Sequence, residues 1–211
     1  MGSLPNIHRY ISNIAHKTCA PFLDRVAIVF TDMDEAYQAV ADHYHFHCTG
    51  CENSCCFTRF YHYTLLEYFF IIEGYKRLDR QKQLEIEERA LDVCRKTDEA
   101  DNKGMPVRIM CPLNVDGLCL TYDFRPMICR LHGIPHELHG LDGRVTKGRG
   151  CDNFYRFGSP KAPVTFDRTT FYVNMANLER EFRQTVDVPN KMKMTIAQMI
   201  VSFHSKNHEN H

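Results

Sequence analysis

Apolar side chains recur at helical intervals along most of the chain. From Pro21 to about Tyr44 they fall at Phe22, Val26, Val29, Met33, Tyr37, Val40 and Tyr44, the spacing of a helix that buries one face. Pro21 suits the first turn of that helix, where a missing N–H leaves no bond unmade. Thr64 and Glu67 form a capping pair ahead of Leu65, Leu66, Tyr68, Phe69 and Ile72, so a second helix is predicted there. A charged segment from about Asp79 to Thr97 places Leu84, Leu91 and Cys94 on one stripe and predicts a helix with a wet outer face. Residues 98–106 read as a polar loop and Val107–Met110 as a short strand. Gly133 to Pro163 carries six glycines and three prolines, which predicts irregular backbone. Asp167 is placed to cap a helix carrying Phe171, Met175, Leu178 and Phe182. A last helix is predicted from about Thr195, with Ile196, Met199, Ile200 and Phe203 in register. The tail after Ser205 is polar and expected to fray, with His204, His208 and His211 solvated.

This order of elements predicts a mainly α fold: a small helical domain with two Cys-rich metal-binding loops and little β structure. A chain of 211 residues can bury a core as one domain, 1–211. Within it, 46–151 forms a cysteine-cluster core flanked by N- and C-terminal helices. Lys+Arg and Asp+Glu both number 26, so the formal net charge is zero. That balance offers no general attraction to a nucleic acid or an anionic membrane, and neither is expected as a partner; an unidentified protein partner is. Met1–Asn6 lacks the apolar core of a signal peptide and the hydroxyl residue at position 6 that myristoylation needs. The apolar run at Phe69–Ile72 is too short to span a bilayer. A cytoplasmic chain with reduced thiols is therefore expected, where ten cysteines point to metal or redox chemistry rather than a disulfide framework.

The cysteines sort by spacing. Cys48 and Cys51 are separated by two residues, the knuckle that lets two thiolates converge on one ion. Cys55 and Cys56 are adjacent, which suits two metal atoms, or one ligand beside a packing thiol. Cys111, Cys119, Cys129 and Cys151 form a second set, stiffened by Pro112, Gly117 and Pro126. Eight thiols in two loops are enough for two four-cysteine zinc sites, or for an iron–sulfur cluster (4Fe-4S) and a further site. Cys19 and Cys94 stand apart and read as small packing residues. His43, His45 and His47 alternate ahead of Cys48; on a continuing helix His43 and His47 would share a face and offer nitrogen donors. His132 lies near enough to Cys129 to do the same. Arg125 and Arg130 are expected to offset the negative charge of a thiolate site, and Tyr122 to pack against the loop. No nucleophile elbow, phosphate-binding Gly-rich loop or His-Glu-x2-His motif occurs.

Taken together, Phe46-x-Cys48-x2-Cys51-x3-Cys55-Cys56 and Cys111-Pro112-Leu113 … Gly117-x-Cys119-x2-Tyr122-x2-Arg125-Pro126-x2-Cys129-Arg130 resemble the YkgJ-type cysteine-cluster family. That family is described as a zinc- or iron-chelating domain, and its cluster is similar to that of flagellin lysine N-methylase. The resemblance spans residues 46–151. Three residues, Glu52-Asn53-Ser54, stand between Cys51 and Cys55 where the family generally has two, and Leu131-His132-Gly133 replaces an aromatic and a proline. The resemblance implies a metal-binding protein with an iron–sulfur or zinc centre in a redox or cluster-dependent role. A structural zinc-binding interaction module and a protein-modifying, lysine methylase-like enzyme are the alternatives.

Overall fold

The computed structural model describes residues 11, 14–48, 55–157, 164–189 and 191–208, with the side chains of 205–208 outside it. Met1–Asn6, Cys51, Glu52–Ser54 and residues 158–163, to which some sequence expectations refer, therefore lie outside the described residues. The fold is mainly α, as the apolar spacing predicts. Helix α1 (His16–His43) is followed by α2 (Leu65–Lys76) and α3 (Arg80–Asn102). A tight hairpin, β1 (Asn114–Val115) and β2 (Leu118–Cys119), leads to the short α4 (Met127–Leu131). A second hairpin, β3 (His136–His139) and β4 (Val145–Gly148), precedes α5 (Asp152–Phe157), α6 (Thr169–Val186) and α7 (Ile196–His208). Both hairpins are antiparallel, with Asn114 opposite Cys119 and His136 opposite Gly148.

Helix α2 is the centre of the core. Leu65, Leu66, Tyr68, Phe70, Ile71, Ile72 and Tyr75 are all buried, so the helix is apolar on nearly every side, as a helix surrounded by others must be. Helix α1 packs on α2, α4 and α6, while α3 packs on α7. Phe182 of α6 meets Phe22 of α1 at 5.1 Å and Phe69 of α2 at 5.8 Å, edge to face, the arrangement aromatic quadrupoles favour. The start of α2 is fixed from two sides. The Thr64 hydroxyl accepts from the Glu67 N–H at 3.1 Å. The Glu179 carboxylate of α6 accepts from the Leu65 and Leu66 N–H groups at 2.8 and 3.1 Å. Burial raises the Glu179 carboxyl above its ordinary value, more than these donors and Arg183 can offset.

Several boundaries differ from the sequence expectation for identifiable reasons. Helix α1 begins five residues before Pro21, which sits within it. The α3 stripe that faces the core is Ile86, Ala90 and Ala100, whereas Leu84 and Leu91 are 44 % and 51 % exposed. Helix α3 runs on to Asn102, and residues 107–110 are not a strand. The Gly133–Pro163 stretch contains a hairpin and α5, because Asp142-Gly143, with Gly143 at φ 77°, turns the chain back on itself. The N-cap of α6 is Arg168 rather than Asp167, although the Asp167 carboxylate accepts from the Thr169 N–H at 2.8 Å. Thr195 and Gln198 make a reciprocal capping box at α7. His204 is buried rather than solvated, with Nε2 2.5 Å from the Tyr75 hydroxyl and Nδ1 3.0 Å from Glu87. Among the described residues no helix is long and apolar enough to cross a membrane.

Candidate metal centre

Two cysteine loops that are remote in sequence meet through their backbones. A single 3₁₀ turn carries Cys55 and Cys56, and the Cys111 N–H donates to the Cys56 carbonyl at 2.9 Å. Chain direction then reverses in the β1–β2 hairpin. Its two turn residues, Asp116 and Gly117, have φ of 51° and 84°, the left-handed pair that a two-residue hairpin needs to match strand twist. Asn114 joins these parts. Its N–H donates to the Cys111 carbonyl at 3.0 Å, its side-chain oxygen accepts from the Gly117 N–H at 3.1 Å, and its amide nitrogen donates to Cys56 Sγ at 3.3 Å. Sequence reasoning passed over Asn114, although Asn followed three residues later by Gly marks such a turn.

The remaining thiols come from neighbouring elements. Cys129 lies in α4, which starts after Pro126. The Met127 N–H at the head of α4 donates to Glu67 at 3.1 Å, tying this thiol-bearing helix to the core. The Cys151 N–H donates to the Gly133 carbonyl at 2.8 Å. Gly133 has φ 119°, and a Cβ there would lie 2.8 Å from the Tyr37 hydroxyl, so glycine is required both for the turn and for the close approach.

Cys48, Cys55, Cys56, Cys111, Cys119, Cys129 and Cys151 all line one cavity of about 760 Å³. Cys48 is exposed and the others are partly buried, and none of the seven is in a disulfide. Cys51, the remaining predicted ligand, lies outside the described residues. Cys19 is buried in the core, and Cys94 sits on α3 away from the cavity. Burial, with Asp98 adding to it, pushes the Cys94 thiol up to about 11.

Burial, together with crowding by neighbouring sulfurs, holds the protons on Cys55, Cys111, Cys119 and Cys129. Burial pushes Cys111 up to about 12, with the Cys56 and Cys119 sulfurs adding to the shift. Cys129 is raised well above a normal thiol by burial and then by Cys111, Cys119, Cys56 and Glu67. Cys55 is raised by its contact with Cys56 and by burial. Cys119 is raised by burial and partly relieved by Thr121. Thiols crowded in this way cannot all ionise unless a cation offsets their charge. The donor chemistry therefore fits a thiophilic ion or cluster. Among the described residues, no three His, Cys, Asp or Glu donors already stand together at the spacing of a closed metal site.

No family model, curated protein or solved structure matches this chain. What the site can do is read from its own residues.

The arginines and histidines follow expectation only in part. Arg130 is buried, with its ring-facing side 4.6 Å from the Phe30 ring centre. It donates to Asp34, to the Arg125 carbonyl and to the Asp123 carbonyl. Arg125 donates to the Tyr122 carbonyl at 2.9 Å and stacks on the Tyr122 ring at 3.5 Å. Both guanidiniums thus brace the 122–131 segment; both also line the cavity, and the Arg125 charge favours the ionised Cys119 thiol. Helix α1 ends at His43, and His45 has φ 52°, so His43 and His47 do not share a helical face. His47 and His132 do line the cavity. His132 packs against Phe60 at 5.3 Å, and burial, then Arg168, lowers its pKa, which favours a neutral imidazole. The site also contains His62, buried among the thiol-bearing elements. Its sequence position between Cys56 and the α2 cap carries no motif.

Proposed function

We propose that this chain binds a cysteine-ligated metal centre, an iron–sulfur cluster (4Fe-4S) or Zn²⁺, in the thiol-lined cavity and uses it in a redox or cluster-dependent role. The observation that carries this reading is the Cys111 N–H bond to the Cys56 carbonyl. It draws two loops more than fifty residues apart to one cavity lined by seven sulfurs. Packing alone does not call for such a convergence, since buried cysteines in a core are dispersed. The resemblance of the two motifs to the YkgJ-type cluster points the same way. Cys48, Cys55, Cys56, Cys111, Cys119, Cys129 and Cys151 would hold the centre, with Cys51 as the further motif ligand. Bound iron–sulfur would supply one-electron chemistry, and bound zinc would cross-link the loops or polarise a ligand.

The volume of the cavity favours a centre with room beside it. About 760 Å³ lies in the range of small-molecule sites, whereas a closed four-thiolate zinc site that only folds an interaction module needs no such space. That room keeps a protein-modifying enzyme as the second reading. The test is metal analysis of anaerobically purified protein beside a Cys111→Ser and Cys129→Ser series. A brown protein with a broad visible charge-transfer band, lost in both variants, is expected for iron–sulfur; a colourless protein with stoichiometric zinc lost in both, for zinc. Wild-type protein without metal, or variants that retain it in full, would refute the reading.

A further inference from the structure

The His62 ring is buried beside the Glu67 carboxylate. The residue is 2 % exposed, and neither ring nitrogen makes a hydrogen bond. Buried polar atoms almost always find a partner, so a buried imidazole with both nitrogens unbonded needs an explanation. Its backbone is already held: the His62 N–H donates to the Met194 carbonyl at 2.8 Å and the Met194 N–H returns the bond at 3.0 Å. His62 is among the residues that surround the same cavity as the thiols.

Glu67 stands behind the ring. One of its carboxylate oxygens is 3.7 Å from His62 Nδ1 and accepts from the Met127 N–H; the other accepts from the Thr64 hydroxyl at 2.7 Å. Glu67 is buried, and burial would raise its pKa, yet the His62 ring, Thr64 and Met127 together leave it below its ordinary value. The Thr64 and Met127 donors fix the carboxylate in place, and it sits where a small ring movement would bring Nδ1–H onto it. That would fix the tautomer with the Nε2 lone pair available, the arrangement in which a carboxylate backs a metal-binding histidine. The same carboxylate grips α4 two residues before Cys129, so His62 and a predicted thiolate ligand share one anchor.

We propose that His62 is a nitrogen ligand of the centre, positioned by Glu67; this rests on the metal-binding reading above. The centre is then a mixed sulfur–nitrogen site rather than an all-cysteine one.

X-ray absorption at the edge of the metal retained by the full, anaerobically purified chain tests this, with Zn²⁺ alone added if none is retained. The expected wild-type spectrum contains sulfur neighbours and the outer-shell pattern of one imidazole. The imidazole pattern disappears in His62→Gln, whose metal affinity in chelator competition falls at least about tenfold. Glu67→Gln is expected to keep the imidazole pattern while weakening affinity by about 10–100-fold. A sulfur-only wild-type shell overturns the assignment of His62 and leaves the metal reading standing. An imidazole pattern that persists in His62→Gln also overturns it, because the ring then belongs to His47 or His132. A chain that takes up no metal at all refutes both. The wild-type spectrum decides the point by itself if His62→Gln does not fold.

Discussion

Gly74→Ala offers a quantitative test of how the helical core holds the second cysteine loop. Gly74 lies on α2, and a Cβ built there would fall against Phe124, 2.5 Å from its Cβ and 2.6 Å from its Cδ2. Helix propensity alone predicts a gain of up to about 1 kcal/mol for Ala over Gly. Overpacking opposes that gain. The Phe124 ring cannot swing away, because its own Cβ is among the clashing atoms. The ring is also held between Phe70 at 5.1 Å and Arg77 at 4.6 Å. Forcing a methyl into a packed site costs roughly 1–3 kcal/mol, and this site lies at the tight end, so a net loss of about 1–2 kcal/mol is expected. For a chain of this length each kcal/mol moves Tm by about 2–4 °C, giving a drop of about 2–8 °C. Urea and thermal unfolding followed by circular dichroism measure it. Phe124→Ala should itself destabilise, and on that background Gly74→Ala should become neutral or stabilising. A single Gly74→Ala variant as stable as wild type would show that α2 does not press on the 122–124 turn and would refute the packing argument.

Other outcomes follow from the same contacts. Glu179→Ala strands two N–H groups at the start of α2 and leaves Arg183 without its 2.5 Å carboxylate partner, so a loss of about 3 kcal/mol is expected; a urea midpoint within error of wild type would contradict it. The raised pKa of Glu179 fixes a sign as well. Its folded value lies above the unfolded value of 4.5, so wild-type stability should fall, relative to Glu179→Gln, as pH rises from about 4.5 through the folded pKa. Parallel stability curves for the two proteins would refute this. Gly117→Val must place a branched side chain at φ 84°, at a cost of about 1–2 kcal/mol, and should lower metal content along with stability because β2 carries Cys119. Cys94→Ser should leave metal content unchanged where Cys111→Ser abolishes it, since Cys94 lies outside the cavity.

The helices were legible because their signals are local. Thr64 with Glu67, Asp167, and Thr195 with Gln198 mark helix starts through bonds made within a few residues. The stripe on α3 was not legible, because Leu84 and Leu91 on one side and Ile86, Ala90 and Ala100 on the other both keep helical spacing. Only packing against neighbouring elements, α7 foremost, selects between them. The hairpin at Asp116-Gly117 was present as a turn signal within what reads as a ligand loop. The arginines beside Cys129 illustrate a different limit: a guanidinium next to a thiol in sequence has several acceptors within reach, and Asp34, from α1, takes Arg130.

By itself the sequence determined a mainly α chain, most of its helix starts, and a division of the cysteines into clustered and isolated. Those follow from short-range spacing and capping, which need no knowledge of where the chain returns. The tertiary structure decided what the thiols face. It brought Cys56 beside Cys111, gathered seven sulfurs around one cavity, tied Arg130 to Asp34 of α1, and set His62 in front of Glu67. Each of these depends on a contact between residues far apart in the chain, and no local pattern encodes such a contact, because packing of the whole core fixes it.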